Sequence, residues 1–185
     1  LIAVVYYFRN EIFLMSKSLL ENNNLNEDKN LIIQLIVATI PIVILGFIFR
    51  DLISQRIFSI NDIAISNIIF ASILLFAFLN NKGKKTLINM TILGACFIGL
   101  FQCFALIPGA SRSGAAITAG LLIGLSLKDA SKFAFLLAIP TILGALTLLI
   151  IDLNNESVSF DLLNTSIGFF TSMIFAFFTI KLFLK

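Results

Sequence analysis

Between Lys85 and Lys128 the chain carries a single charge, Arg112. A stretch this free of charge belongs in a bilayer rather than in water. An arginine inside it costs ~3 kcal/mol on insertion scales, so such a residue marks a function by default. Its setting is Pro108-Gly109-Ala110-Ser111-Arg112-Ser113-Gly114. Two glycines, a proline and two serines make a tight turn rich in backbone N–H donors and lead into a helix. A turn of this kind suits an anion, and an arginine within it suits a phosphate. The remainder of the chain reads as a membrane scaffold that holds this loop.

Composition supports that reading. Charged residues are 12% of the chain and hydrophobic ones 59%, whereas a soluble domain carries about 25% charge. The mean hydropathy is +1.04. The net charge is only +3, and the lysines gather at the ends of apolar runs. This is a topology signal rather than a nucleic-acid surface, so no nucleic acid is expected as a partner. The opening apolar run, residues 1–8, is shorter than the ~20 residues a crossing needs. It also lacks the basic start and cleavage site of a signal peptide. The chain is therefore expected to be one transmembrane domain, residues 1–185, truncated at both ends. Cys96 and Cys103 fall on one expected helix, ~10 Å apart along its axis and too far for a disulfide. They read as small apolar core residues.

The expected fold is all-α, a multi-pass membrane bundle. Apolar runs at residues 31–49, 63–79, 133–151 and 162–180 each match a crossing. Polar or charged connections are expected at 21–30, 50–62, 80–85, 128–132 and 152–161. Residues 87–107 and 113–127 read as two helical stretches around the Arg112 loop. The second is ~22 Å long against a ~30 Å hydrocarbon core. Residues 87–127 are thus expected to form a re-entrant hairpin with the phosphate-binding loop near mid-membrane; two full crossings would give the same overall topology. Lys82, Lys84 and Lys85 place that connection in the cytoplasm, and the acidic segment 152–161 outside. Arg50 and Arg56 then fall outside, against the charge rule, with Asp51 and Asp62 near them. Ala116, Gly120 and Gly124, four apart, offer a flat face for close helix packing.

Each loop residue has a structural role it could fill instead. Arg112 could pair with a carboxylate, and Ser111 or Ser113 could simply cap the next helix. Taken together they offer more. Gly109 and Gly114 permit backbone angles closed to other residues. A phosphate at this place would meet a guanidinium fork, hydroxyls and the N-terminal end of a helix. These are the parts that stabilise charge in phosphoryl transfer. Ser111 could act as nucleophile or as phosphate ligand. A nucleophilic serine needs a base, and the chain has no histidine and no carboxylate in its apolar runs.

The stretch Phe101-Gln102-Cys103-Phe104-Ala105-Leu106-Ile107-Pro108-Gly109-Ala110-Ser111-Arg112-Ser113-Gly114 closely resembles the second signature of the bacterial undecaprenyl-diphosphate phosphatases, the bacitracin-resistance type. The likeness continues through Gly120-Leu121-Leu122-Ile123-Gly124-Leu125-Ser126 and Phe133-Ala134-Phe135-Leu136-Leu137-Ala138-Ile139-Pro140. More weakly it reaches back through Ile40-Pro41 and Gly46 to Ala3-Val4-Val5, so it covers essentially the whole chain. The resemblance implies a multi-pass enzyme of the bacterial cytoplasmic (inner) membrane, built from inverted repeats. Such an enzyme hydrolyses undecaprenyl diphosphate to the monophosphate and so recycles the lipid carrier of cell-wall synthesis. The implied partners are the polyprenyl diphosphate and membrane lipid, with a homodimer one of the arrangements open to it. The implied cofactor is a divalent cation, Mg²⁺ or Ca²⁺, with ligands expected mainly in a segment before Leu1 that carries the first signature. No metal ligand is assigned within this chain.

Carried over by position, Ser111 and Arg112 resemble the catalytic pair, with Arg112 binding the diphosphate. Gly109, Ser113, Gly114, Gln102 and Thr118 are the substrate-binding candidates. Gln102 stands where the pseudo-symmetric partner of a first-signature glutamate would stand. The chain departs from the family at Ala116, which follows Gly114-Ala115 where the family carries a threonine; Thr118 is two residues on and points to a different side of the helix. Lacking the first signature, the chain by itself is expected to release no phosphate. Three other readings remain. A polyprenyl-phosphate transporter or flippase module would bind the lipid without cutting it. An acid-phosphatase-like lipid phosphatase needs histidines that this chain lacks. A non-catalytic paralogue would account for Ala116.

Overall fold

The computed structural model describes residues 1–20, 26–54, 58–153 and 161–184. Among these, two helices, α1 (Ile2–Tyr7) and α2 (Arg9–Leu20), are joined by a turn at Phe8. Then follow α3 (Asn26–Ile48), α4 (Arg50–Ser54), α5 (Ile60–Asn80), α6 (Ile92–Gln102), α7 (Arg112–Leu122), α8 (Leu127–Leu153) and α9 (Leu162–Phe183). Helices α3, α5, α8 and α9 contain segments long and apolar enough to cross a membrane. The chain is an all-α, multi-pass bundle, and its four crossings fall where the charge-free runs place them.

The ends of these helices differ from the sequence expectation, and local capping explains most of the differences. Residues 26–30, expected in a loop, form the first turn of α3, where Glu27 and Asp28 face the positive end of the helix dipole. The segment 128–132 is not a turn. Ser126 Oγ accepts the Asp129 N–H at 3.1 Å and donates to Asp129 Oδ2 at 2.7 Å, so α8 begins six residues before the expected start at Phe133. The connection 50–62 is also partly helical. It holds α4, and a reciprocal Ser59–Asp62 capping box starts α5. The expected acidic connection 152–161 falls mostly on residues outside those described. Asp161 caps α9 by accepting from the Leu163 and Asn164 N–H groups.

The single helix expected over 87–107 is broken. A 3-10 turn, Leu87–Asn89, leads to an extended Met90, and Thr91 then restarts the chain as α6 by accepting the Gly94 N–H at 3.1 Å. At its other end α6 tightens into a second 3-10 turn, Cys103–Leu106. Helix α7 stops at Leu122, earlier than expected, because Gly124 turns the chain at φ +91°. Helices α6 and α7 are 11 residues each, ~16 Å of rise against a ~30 Å hydrocarbon core.

The base of this hairpin is tied. The Lys85 N–H donates to the Gly124 carbonyl, and the Ser126 N–H to the Lys85 carbonyl, each at 3.0 Å. The Asn81 amide donates to the carbonyls of Leu121 at 2.7 Å and Leu125 at 2.9 Å. The bond to Leu121 falls on a carbonyl of the last turn of α7, and the others hold the turn that follows it. The Glu11–Lys132 ion pair, 3.4 Å, joins the start of α2 to the start of α8 near the same end.

Helix α7 is the centre of the core. Residues 115–121 are all buried, packed by α5, α6 and α8. Small residues allow that closeness. A Cβ added at Gly120 would lie 2.8 Å from the Ala130 Cβ, and one at Gly99 would strike the Ala38 backbone. The small-residue face therefore works at Ala116 and Gly120, while Gly124 lies past the helix end. One third of the most apolar window of α8 is buried, 33%, against 6% for α5 and for α9. Helix α8 is the inner wall, and α5 and α9 present their apolar side chains outward.

Candidate active site

The loop between α6 and α7 is shaped by its glycine and its cap. The Ala110 N–H donates to the Ile107 carbonyl at 3.1 Å, which closes a turn over Pro108 and Gly109. Gly109 takes φ +96°, and a Cβ there would strike the Ile63 carbonyl of α5 and lie 3.1 Å from the Ser66 Cβ. The loop tip is thus pressed onto the first turns of α5. On the other side, Leu106 lies near Gly46, close to the end of α3. The loop is held between these two helices. It lies toward the end where α3 finishes and α5 starts, away from the Lys85–Leu125 tie. The 3-10 turn accounts for this, since its four residues add ~8 Å of reach beyond α6.

Ser111 is the N-cap of α7. Its Oγ accepts the Gly114 N–H at 3.2 Å and lies 3.4 Å from Ser113 Oγ. With Gly114 thus capped, the backbone N–H groups at the front of α7 and two hydroxyls converge on one place. Arg112 is half-buried beside it. Its Nη1 donates to Thr141 Oγ1 on α8 at 2.7 Å. The Thr141 hydroxyl in turn donates within its own helix, to the carbonyls of Leu137 at 2.8 Å and Ala138 at 3.2 Å. Its lone pairs therefore face the guanidinium. Among the described residues the partner of Arg112 is a hydroxyl rather than a carboxylate, and one bond leaves most of the five guanidinium donors for a ligand. Thr141 escaped the sequence reading, although it directly follows the Ala138-Ile139-Pro140 run.

The other candidates divide into two groups. Gly109, Ser111, Arg112, Ser113 and Gly114 are brought together at the loop and cap. Thr118 is buried one turn further along α7, and its hydroxyl donates to the Gly114 carbonyl at 2.7 Å. Ala116, at the family threonine position, is 1% exposed and belongs to the core. Gln102 is fully buried at the end of α6, and among the described residues neither its amide oxygen nor its nitrogen has a hydrogen-bond partner. An orphaned buried amide costs ~1–3 kcal/mol, so it is a group with partners still to find.

Beside Arg112 lies a cavity of about 360 Å³, lined by Arg112 and Thr141 together with Gly46, Arg50, Leu106 and Gly144. An apolar groove of about 380 Å³ adjoins it and shares Ile53 and Leu106 as a wall. Among the described residues no cluster of His, Cys, Asp or Glu could hold a metal ion. The groups at the loop are hydroxyls, backbone N–H donors and a guanidinium. That set fits an anion. A phosphoryl group placed at the front of α7 would meet hydroxyl and backbone N–H donors there, with the half-buried Arg112 guanidinium alongside.

Comparison with known proteins agrees with this chemistry. A protein of Alcanivorax borkumensis named undecaprenyl-diphosphatase is 37% identical over 188 residues, which take in 100% of this chain and 71% of that relative. The family described as bacitracin resistance protein BacA matches residues 1–185. From Leu1 to Lys185, the chain belongs to the bacitracin resistance protein BacA family.

Proposed function

We propose that the α6–α7 loop is the phosphate-binding part of an undecaprenyl-diphosphate phosphatase of the bacterial cytoplasmic membrane. The enzyme cleaves the lipid diphosphate to undecaprenyl phosphate and inorganic phosphate. The observation that carries this reading is Arg112, held by Thr141 on the wall of a cavity inside a membrane bundle and flanked in the chain by Ser111 and Ser113, whose hydroxyls lie 3.4 Å apart at the front of α7. Family membership and the named activity of the relative point the same way. The transporter or flippase reading has no comparable support.

In this reading Arg112, aimed by Thr141, binds the phosphoryl oxygens with its free donors. The front N–H groups of α7 take further charge as the bridging bond breaks. Ser111, already engaged as a cap and beside no base, contributes its hydroxyl as a phosphate ligand. Gln102 and Thr118 are kept as outlying substrate-binding residues. The apolar groove beside the cavity takes the first isoprene units of the lipid. The cavity lies toward the ends of α3 and α8, and the charge bias of Lys82, Lys84 and Lys85 makes that side the outer one.

A requirement for Mg²⁺ or Ca²⁺ belongs to the same proposal. The described residues at the loop do not supply the ligands, so no step here is routed through the ion.

The test is phosphate release from undecaprenyl diphosphate by the chain joined to the N-terminal segment that the resemblance calls for, reconstituted in liposomes. Release that stops with EDTA and returns with either ion is expected. Lipid movement between leaflets without release would establish the flippase instead. Cysteines placed at Lys84 and Asp161 should label from opposite faces, and labelling from one face would overturn the orientation.

A further inference from the structure

We propose that Leu106 and Gly46 form a gate between the apolar groove and the cavity beside Arg112, and that the first isoprene unit of the substrate passes between them. This rests on the function proposed above and names the residues that set which diphosphates reach Arg112.

The two compartments lie on either side of one contact. Leu45 and Phe49 of α3 line the groove, whereas Ile42 and Gly46 of the same helix line the cavity with Arg112 and Thr141. Each pair is four residues apart, so the two pairs are separate rows on one helix surface. Leu106 lines both compartments, and its Cδ2 would lie 3.9 Å from a Cβ at Gly46. It is therefore the partition between them. The groove is lined by apolar side chains and the Cys103 thiol, and the cavity holds the guanidinium. A lipid diphosphate is divided in the same way. Seated with its phosphate at Arg112 and its chain in the groove, it crosses at Leu106.

Neither backbone nor packing demands a glycine at position 46. It lies inside α3, where glycine is a poorer helix former than alanine. Its φ is not among the positive ones. A Cβ there would meet only Leu106, at an ordinary contact distance, whereas one at Gly99 would strike the Ala38 backbone. What the missing Cβ leaves is room. At rest that room is about one methyl group wide, too narrow for a prenyl chain. The leucine side chain has other rotamers, and turning to one of them over the bare Gly46 backbone opens the way. Leu106 is thus the moving part of the gate, and Gly46 the space it moves through.

The experiment uses the same reconstituted protein. It measures kcat, KM for undecaprenyl diphosphate and the melting temperature in wild type, Gly46→Ala, Gly46→Leu and the double variant Gly46→Leu with Leu106→Ala. Added methylenes in the path of the chain predict a KM raised ~10-fold or more in Gly46→Leu. The kcat should stay within about twofold, because the chain is held alike in ground and transition states. Gly46→Ala should melt no lower than wild type and raise KM less. The double variant should recover most of the KM, since bulk added on one side of the gate is removed from the other. If Gly46→Leu does not fold, Leu106→Trp crowds the same gap from the loop and should raise KM in its place. An unchanged KM in the folded variant, a fall in kcat alone, or a double variant no better than Gly46→Leu would each overturn the proposal. A wild type that releases no phosphate would bring down the phosphatase reading and the gate with it. An active wild type with an indifferent Gly46→Leu brings down the gate alone.

Discussion

Arg112 and Thr141 are joined by a hydrogen bond of 2.7 Å that runs from the loop to the middle of α8. The residues are far apart in the chain, and their bond fixes where the guanidinium fork points. Without it the side chain could turn along the cavity that both residues line.

Removing that bond tests its importance. Thr141→Val keeps the shape of a residue that is only 7% exposed, so the bundle should fold normally. A hydrogen bond to a charged group is worth ~1.5–3 kcal/mol, so kcat/KM for undecaprenyl diphosphate should fall roughly 10- to 100-fold. Thr141→Ser should stay within a few-fold of wild type. Equal rates in all three proteins would mean that the arginine is aimed by something else.

Arg112→Lys keeps the charge and discards the planar fork. Most of the activity should go, on the order of 100-fold in kcat, as for loss of one transition-state donor. The detergent-solubilised protein should elute and melt as wild type does. Near-normal turnover would show the arginine to be structural.

Gly109→Ala places a methyl group against the Ile63 carbonyl and forces a left-handed backbone on a residue that resists it. The strain, ~1–3 kcal/mol, should lower the melting temperature and displace the loop from α5. A variant as stable and as active as wild type would mean that the loop is not pressed against α5.

Gln102→Leu separates stability from function. Replacing an orphaned buried amide by an apolar side chain of similar size should raise the melting temperature. If the amide serves the substrate, phosphate release should fall in the same protein. A variant that is both more stable and fully active would reduce Gln102 to a packing residue.

The crossings were legible because a run of about 20 residues without charge has few other uses. The loop was legible as a turn into a helix because a proline, two glycines and two serines interrupt an apolar run there. Finer features were not. Thr91 breaks a helix that its apolar neighbours would continue, and nothing in its residue type separates a cap from a threonine facing lipid. Ser126 moves the start of α8 across two lysines that read as a boundary, because one hydroxyl and one carboxylate outweigh the charge pattern. Thr141 meets Arg112 only through the packing of α7 against α8. Arg50 falls in a charged connection of the sequence, and only the packing of α3 and α4 places it among the residues that line the cavity.

The tie between Lys85 and Leu125 has a consequence for how the chain enters the bilayer. Neither α6 nor α7 is long enough to be threaded across alone, so insertion machinery has no single segment here to grip and release sideways. A segment that returns to its point of entry adds nothing to the parity of crossings. Evolution could therefore lengthen, reshape or retune residues 86–125, loop and all, without turning any later helix upside down.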